Sequence, residues 1–486
     1  MQRNNKQDNA PILQALNNYL EKNYVSFHIP GHKNGQLVDQ ELLAMFQQQL
    51  FCFDLTELPG LDDLHQPEGP IEEAQKLGAQ LFGAEETFFL VNGTSCGIEA
   101  GILSLCRDGE EIIVPRNVHQ SVAYGLILSG AIPRYVPVEV CPKTGLALGP
   151  SLFKVEETLK LYPKAKGLVL VNPTYQGVAP ALKDLVKLAH HADLPVLIDE
   201  AHGSHFCFSS SLPPSGLEAG GDLVVQSTHK LLGSLTQTSL LHVQGRRINR
   251  IRLKGYLKMV QTSSPSYLLM ASLDGARRNM ALKGKKLWEE ILEEVREIRR
   301  QINALPGLDL LDEEDLKGTG FLLDPTKLVI SPRGIGLSGE ELAKILREKY
   351  RIQPEYADNN HVLLIVTPGN SREDLNKLVV SLVLIAKEYG EISDRKVKKI
   401  DFPNPPIGKQ EVSPREAYNR QFVLLPLPET IGEIAAELVC PYPPGIPVVC
   451  PGEKITAEAV DYLRQAREVG AKIRGLDKEG RIAILS

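Results

Sequence analysis

The sequence predicts an α/β fold: a large domain built on a mostly parallel, seven-stranded sheet, followed by smaller α/β C-terminal domains. Three observations carry that expectation. From residue 71 onward, short apolar runs of strand character alternate with stretches of helical period, the pattern of crossover units. The polar motifs collect at the carboxyl ends of those runs, where open α/β sheets bind their ligands. After a long helical stretch, a second and shorter alternation begins near residue 308.

Taken in order, residues 1–22 read as one amphipathic helix, with Ile12, Leu13, Leu16, Tyr19 and Leu20 at helical spacing. Residues 24–35 start strand-like and end in the turn chemistry of Pro30-Gly31-His32-Lys33-Asn34-Gly35. Residues 54–69 form an acid-rich loop with Asp54, Glu57, Asp62, Asp63, His65 and Glu68, whose plain reading is a solvated loop. Helices are then expected at 71–82, 97–106, 121–128, 154–162 and 182–192. Strands are expected at 87–91, 111–114, 135–140, 167–171, 196–199, 223–226 and 239–243. Residues 268–302 read as a long helical stretch broken near Lys283-Gly284. A smaller α/β domain follows over 308–389, with a helix at 340–349, a strand at 361–366 and a helix capped by Ser371, with Asp374 three positions on. Pro403 and Pro405-Pro406 make a linker-like run, and the proline-dense tail around Pro441 to Glu453 makes a rigid irregular loop. The expected domain limits are 1–50, 51–305, 306–395 and 396–486.

Composition narrows the function. With 43% hydrophobic and 23% charged residues the chain reads as an ordinary globular protein with a large core. A net charge of -6 gives no polybasic signature, so neither nucleic acid nor an anionic membrane is expected as a partner. The first residues lack the apolar core of a signal peptide, and no apolar run approaches a membrane span. The seven cysteines form no Cys-x-x-Cys, so reduced thiols in a cytoplasmic protein are expected, and no metal site.

The chemistry centres on two strand ends. Leu223-Val224-Val225 runs into Ser227-Thr228-His229-Lys230, an apolar strand ending in a polar turn with one lysine. Val196-Leu197-Ile198 ends on Asp199, followed by Glu200-Ala201-His202. A desolvated lysine with a lowered pKa forms a Schiff base with an aldehyde. A buried acid beside it can keep a pyridine nitrogen protonated, and without such a partner its burial would be costly. Those are the two needs of pyridoxal 5'-phosphate, PLP. Ala201 is small enough to lie against one ring face, and His119 can stack on the other. Asn92-Gly93-Thr94-Ser95, between a strand and a helix, offers N–H groups, two hydroxyls and a helix N-terminus to a phosphate; a plain capped helix start is the bland alternative. Asn172-Pro173-Thr174-Tyr175 can place an amide or hydroxyl by the cofactor's phenolic oxygen.

These motifs, in this order, resemble the ornithine/lysine/arginine decarboxylases, enzymes with the aspartate-aminotransferase-like fold (PLP fold type I). The resemblance rests on Ser-Thr-His-Lys ending at Lys230 and on Phe27 to Lys33, Leu61 to His65, Asn92 to Ser95, Arg116 to His119, Asn172 to Tyr175, Asp199 to His202, Gln261 to Tyr267 and Pro441 to Glu453. It implies catalytic roles for Lys230, His229, Asp199 and His119. Lys230 would form the Schiff base, Asp199 would pair with the ring nitrogen, and His229 or Lys230 would protonate Cα. It implies a cofactor site made of Gly93, Thr94, Ser95, His119, Asn172, Thr174, Asp199, Ala201, His202, Ser227, His229 and Lys230. Thr262, Ser263 and Ser264 would reach the cofactor of a neighbouring subunit, making a homodimer the active unit. Glu453 would hold the substrate's basic end, with Glu57 and Asp54 as further candidates.

The resemblance is to the shorter bacterial members, which lack an N-terminal wing domain and serve polyamine synthesis. His202 departs from the larger members, which carry tryptophan there, so its role stays open. Arginine is the favoured substrate by that analogy, then lysine or ornithine. Two alternatives stand beside this reading. Another fold-type-I enzyme, an aminotransferase or lyase, would need an arginine clamp for the α-carboxylate. A non-catalytic regulatory paralogue would have no need of Lys230, Asp199 and His119 together.

Overall fold

The computed structural model describes residues 9–21, 49–390, 406–441, 445–468 and 471–486. The reading of residues 24–35, including the Phe27 to Lys33 motif, lies outside these, as do Pro403, Pro405 and residues 442–444.

Seven strands form the main sheet: β1 (Glu86–Leu90), β2 (Glu111–Pro115), β3 (Ile132–Val136), β4 (Leu168–Val171), β5 (Val196–Asp199), β6 (Leu223–Ser227) and β7 (Ser239–Val243). Their spatial order is β1-β7-β6-β5-β4-β2-β3. β7 runs antiparallel to both its neighbours, and the other pairings are parallel. Every residue of β5, β6 and β7 is buried, as expected of strands covered on both faces. Alternate residues enter two separate cores. Ile113, Leu168, Leu170, Ile198 and Val224 join one, while Ile112, Val169, Leu197, Val225 and Leu241 join the other.

Two sequence expectations shift. The strand expected at 135–140 is β3, three residues earlier, and includes Pro133. β3 is an edge strand, where a missing N–H costs no ladder bond. The break expected near Lys283-Gly284 is absent, because Tyr267–Asn303 is one continuous helix of 37 residues. Gly284 is there for packing: a Cβ on it would lie 2.9 Å from Phe208 Cδ1.

Helices flank the sheet, among them α1 (Pro11–Glu21), α2 (Pro70–Phe82), α3 (Gly93–Leu105) and α4 (Gln120–Ser129). α3 lies close on the strands, since a Cβ on Gly97 would sit 2.7 Å from both Leu90 Cδ1 and Val225 Cγ1. After the long helix, Asp309–Leu310, Lys327–Ser331, Tyr356–Ala357 and Val362–Ile365 build a four-stranded antiparallel sheet. Helices Gly339–Glu348 and Arg372–Gly390 accompany it. Ser371 and Asp374 exchange two hydrogen bonds at the start of the second. Beyond residue 406, strands Phe422–Pro426 and Arg481–Leu485 pair antiparallel. They cover a third core with Val448, Leu463 and Ile482.

Candidate active site

A cavity of about 500 Å³ opens at the carboxyl ends of β2, β4, β5 and β6. Its wall includes Gly93, Thr94 and Ser95 from the start of α3, Asn117 and His119 after β2, and Thr174 and Tyr175 after β4. Asp199, Ala201 and His202 follow β5, and Ser227, His229 and Lys230 follow β6. The fold thus brings together most of the cofactor site expected from sequence.

Local geometry explains each placement. β6 turns directly into the one-turn helix Thr228–Leu231, which carries His229 and Lys230 to the cavity. Thr94 Oγ1 lies 2.5 Å from Ser227 Oγ and 2.8 Å from Ser239 Oγ, tying the start of α3 to two strand ends. Gly93, at φ +77, donates its N–H to the carbonyl of Gln237 at 2.8 Å. A left-handed turn at that point is cheapest for glycine. His119 caps α4, its Nδ1 accepting from Ser121 N–H at 3.2 Å.

Electrostatics follow from burial. The Lys230 amine is pushed below the ordinary lysine range by burial, against the pull of Asp199 and Glu355. Its Nζ lies 3.0 Å from His202 Nε2. His202 is held well below the usual histidine range by burial, then by Lys230 and Lys327, so its imidazole is neutral. Its Nδ1 is buried without a hydrogen-bond partner among the described residues. His229 is lowered chiefly by burial and directs Nδ1 to the Thr238 carbonyl at 2.8 Å, which leaves Nε2 as its basic nitrogen. Asp199 is 6% exposed and accepts from Ala201 N–H at 3.1 Å.

This donor set fits PLP: a lysine with a depressed pKa, a buried carboxylate one strand away, a neutral histidine, and hydroxyls at a helix N-terminus. Lys230 would hold the aldehyde carbon, Asp199 the ring nitrogen, and Gly93, Thr94, Ser95 and Ser227 the phosphate.

Several expected residues lie elsewhere. Asn172 does not line the cavity; its amide donates to Glu200 Oε1 at 2.7 Å and to the Pro214 carbonyl at 3.1 Å. It braces Glu200, which also accepts from Gln226 and Gly216. Thr262, Ser263 and Ser264, expected at the cofactor of a neighbouring subunit and not at this one, are exposed. Asp54 is half-buried and Glu57 exposed, and neither lines it. Glu453 is 1% exposed and spends its carboxylate on Arg116 at 2.7 and 2.8 Å, so it does not face the cavity.

The acid that does line the cavity with Asp199 is Glu355, which the sequence reading missed. It precedes the short strand Tyr356–Ala357 of the small sheet and accepts from Tyr175 OH at 2.8 Å. No local pattern marks it, because only the folding of the small sheet against the large one brings it to the cavity.

Comparison with known proteins follows the same line. Residues 10–374 match the major domain of Orn/Lys/Arg decarboxylase, and residues 397–481 match its C-terminal domain. The chain belongs to the Orn/Lys/Arg decarboxylase family. It is therefore a carboxy-lyase of the basic amino acid class, as the resemblance implied. An arginine decarboxylase of Bacillus subtilis is 40% identical over 470 residues, covering 96% of each chain. The lysine decarboxylase LdcA of Pseudomonas aeruginosa is 25% identical, over 96% of this chain and 77% of its own. The solved structure of the Escherichia coli constitutive lysine decarboxylase matches with a TM-score of 0.81 at 21% identity, covering 99% of this chain and 82% of that one. An alanine–glyoxylate aminotransferase from Nostoc matches at 0.52 and 17%, over 78% and 92%. The Orn/Lys/Arg decarboxylase chain thus has the aspartate-aminotransferase-like fold of PLP fold type I.

Proposed function

We propose that the chain decarboxylates L-arginine to agmatine with PLP as cofactor, lysine and ornithine being the next candidates. The observation that carries this is the cavity itself, which sets Lys230 and Asp199 at adjacent strand ends and has Glu355 in the same wall. The 40% identical relative named arginine decarboxylase supports arginine over the other two. When bound, PLP supplies an electron sink for the bond between Cα and the carboxylate.

The chain's own residues do the rest. The Lys230 amine, held below the ordinary lysine range by burial, is the nucleophile for the cofactor's aldehyde. The buried Asp199 carboxylate favours a protonated ring nitrogen. His119 and Ala201, both in the cavity wall, would lie against the two faces of the ring. Glu355 offers its carboxylate to the substrate's cationic end. His229, through Nε2, or Lys230 returns a proton to Cα. A homodimer is proposed as the active unit because Thr262, Ser263 and Ser264 are exposed outside the cavity, available to a second subunit. A cytoplasmic role in polyamine synthesis completes the reading. Among the described residues no helix is long and apolar enough to cross a membrane.

The test is an absorption spectrum followed by CO2 release from each basic amino acid. A band near ~420 nm, abolished by borohydride, is expected from a lysine–PLP linkage. Lys230→Ala should lose the band and all turnover while keeping the parent's far-ultraviolet circular dichroism. Asp199→Ala should lower the rate by about three orders of magnitude or more. A protein that stays colourless with added PLP would overturn the cofactor, and CO2 from lysine alone would overturn arginine.

A further inference from the structure

Glu453 and Arg116 form a buried ion pair that the reaction as proposed does not use. Arg116 follows β2 directly and stands three residues before His119. Its Nη1 donates to Glu453 Oε1 at 2.7 Å, and its Nη2 donates to Glu453 Oε2 at 2.8 Å and to the Val448 carbonyl at 2.7 Å. The Tyr135 ring lies 4.7 Å from the guanidinium carbon. Glu453 also accepts from Cys450 N–H at 3.0 Å. Both side chains are about as buried as side chains get, at 1% and 2% exposed. Removing two charges from water to this extent is poor evidence for stability by itself. A bidentate pair is, however, strongly directional.

Two more contacts reach the same segment. Gln120 N–H, next to His119, donates to the Gly445 carbonyl at 3.1 Å, and its side-chain oxygen accepts from Arg474 at 3.2 Å. At the far end of α4, Arg415 donates to the carbonyls of Ile127, at 3.0 Å, and Leu128, and pairs with Asp108 at 3.1 Å. The helix that His119 caps is thus held in front, at its first residue and at its last turn by the chain beyond residue 406. The same part of the chain sends Ile446 into the cavity wall.

We infer that the C-terminal domain is a positioning element for His119, and that Glu453, acting through Arg116, is the residue that fixes it. The inference rests on the proposed placement of His119 against the cofactor ring. Glu453 never meets the substrate. It holds the turn from β2 to α4 in one register, and Arg116 carries that restraint to the backbone three residues from the imidazole.

Glu453→Gln and Glu453→Asp, compared with the parent holoprotein, test this by hydrogen–deuterium exchange and steady-state kinetics. In Glu453→Gln, exchange over residues 116–122 should rise about tenfold or more, because a buried guanidinium left unpaired pulls its turn toward water. Exchange over residues 196–202 and 223–231 should not change. With the substrate that turns over, kcat should fall about tenfold while KM stays within roughly threefold, the signature of lost transition-state positioning. Glu453→Asp, which keeps the charge, should recover part of both losses. A large rise in KM with unchanged exchange would overturn the inference and return Glu453 to the substrate. A rise in exchange spread evenly over the chain would overturn it too, leaving a purely structural pair. If Glu453→Gln does not fold, Arg415→Ala loosens the other end of α4. It should raise exchange over residues 124–129 and lower kcat about two- to fivefold at constant KM; an unchanged kcat would overturn the inference. Exchange needs no turnover, so a parent that releases no CO2 from any basic amino acid would sink the proposed function separately.

Discussion

Lys327 lies fully buried in the small sheet, and its Nζ has no hydrogen-bond partner among the described residues. Burial lowers its pKa from the lysine range to about 8, with Asp324 opposing and Lys230 assisting. In an unfolded chain the same amine keeps its proton to about pH 10.4. Between those values the unfolded state binds more protons than the native one, so this residue's contribution to stability grows as pH rises through the window. Below pH 8 the native state carries the whole penalty, about 3 kcal/mol. Lys327→Met should therefore be more stable than the parent at pH 7, with the gap closing by about pH 10. Denaturant melts at three pH values check this, and a constant gap would refute it. Glu355 has a sharper expectation. Glu355→Gln should raise KM for the basic substrate about ten- to a hundredfold, as expected for losing a hydrogen bond to a charged group, with a smaller change in kcat. A KM that does not move would remove Glu355 from substrate binding.

At the scale of elements, the site depends on how tightly α3 sits on the sheet. Its N-terminus offers Gly93, Thr94 and Ser95 to the cavity, and at Gly97, one turn later, there is no room for a Cβ against Leu90 and Val225. Gly97→Val should push the helix off β1 and β6, destabilising the protein by about 1–3 kcal/mol. Phosphate-bearing ligands should bind more weakly for the same reason. Calorimetry and PLP titration together check this; an unchanged Tm would mean the strands can retreat. The main strands were legible because two-sided burial writes itself as unbroken apolar runs such as Leu168-Val169-Leu170-Val171. The continuity of the long helix was not legible at Gly284. A glycine chosen to let Phe208 approach looks, in sequence, the same as a helix breaker.

At the scale of the whole molecule, three parts of the chain converge on one cavity. The large sheet supplies Lys230 and Asp199, the small sheet supplies Glu355, and the C-terminal domain supplies Ile446. Only the first of these was read with its residues in place. Glu453, expected at the substrate, is instead joined to Arg116 across 337 positions of sequence. Asn172, expected at the cofactor, is turned to Glu200.

The amino-acid order by itself determined the α/β class, the strand ends that carry Asp199 and Lys230, and the Orn/Lys/Arg decarboxylase family. The class and the strand ends are legible because hydrophobic period and strand-end motifs are local properties, written within a few residues of each other; the family followed from the resemblance those motifs carry. Tertiary structure alone decided which acid reaches the cavity, which arginine neutralises Glu453 and how far Lys230, His202 and Lys327 are desolvated. Those outcomes depend on which parts of a long chain come to lie within a few ångströms. The energy of a charge is set by that company and by its exclusion from water, and neither is a property of its neighbours in sequence.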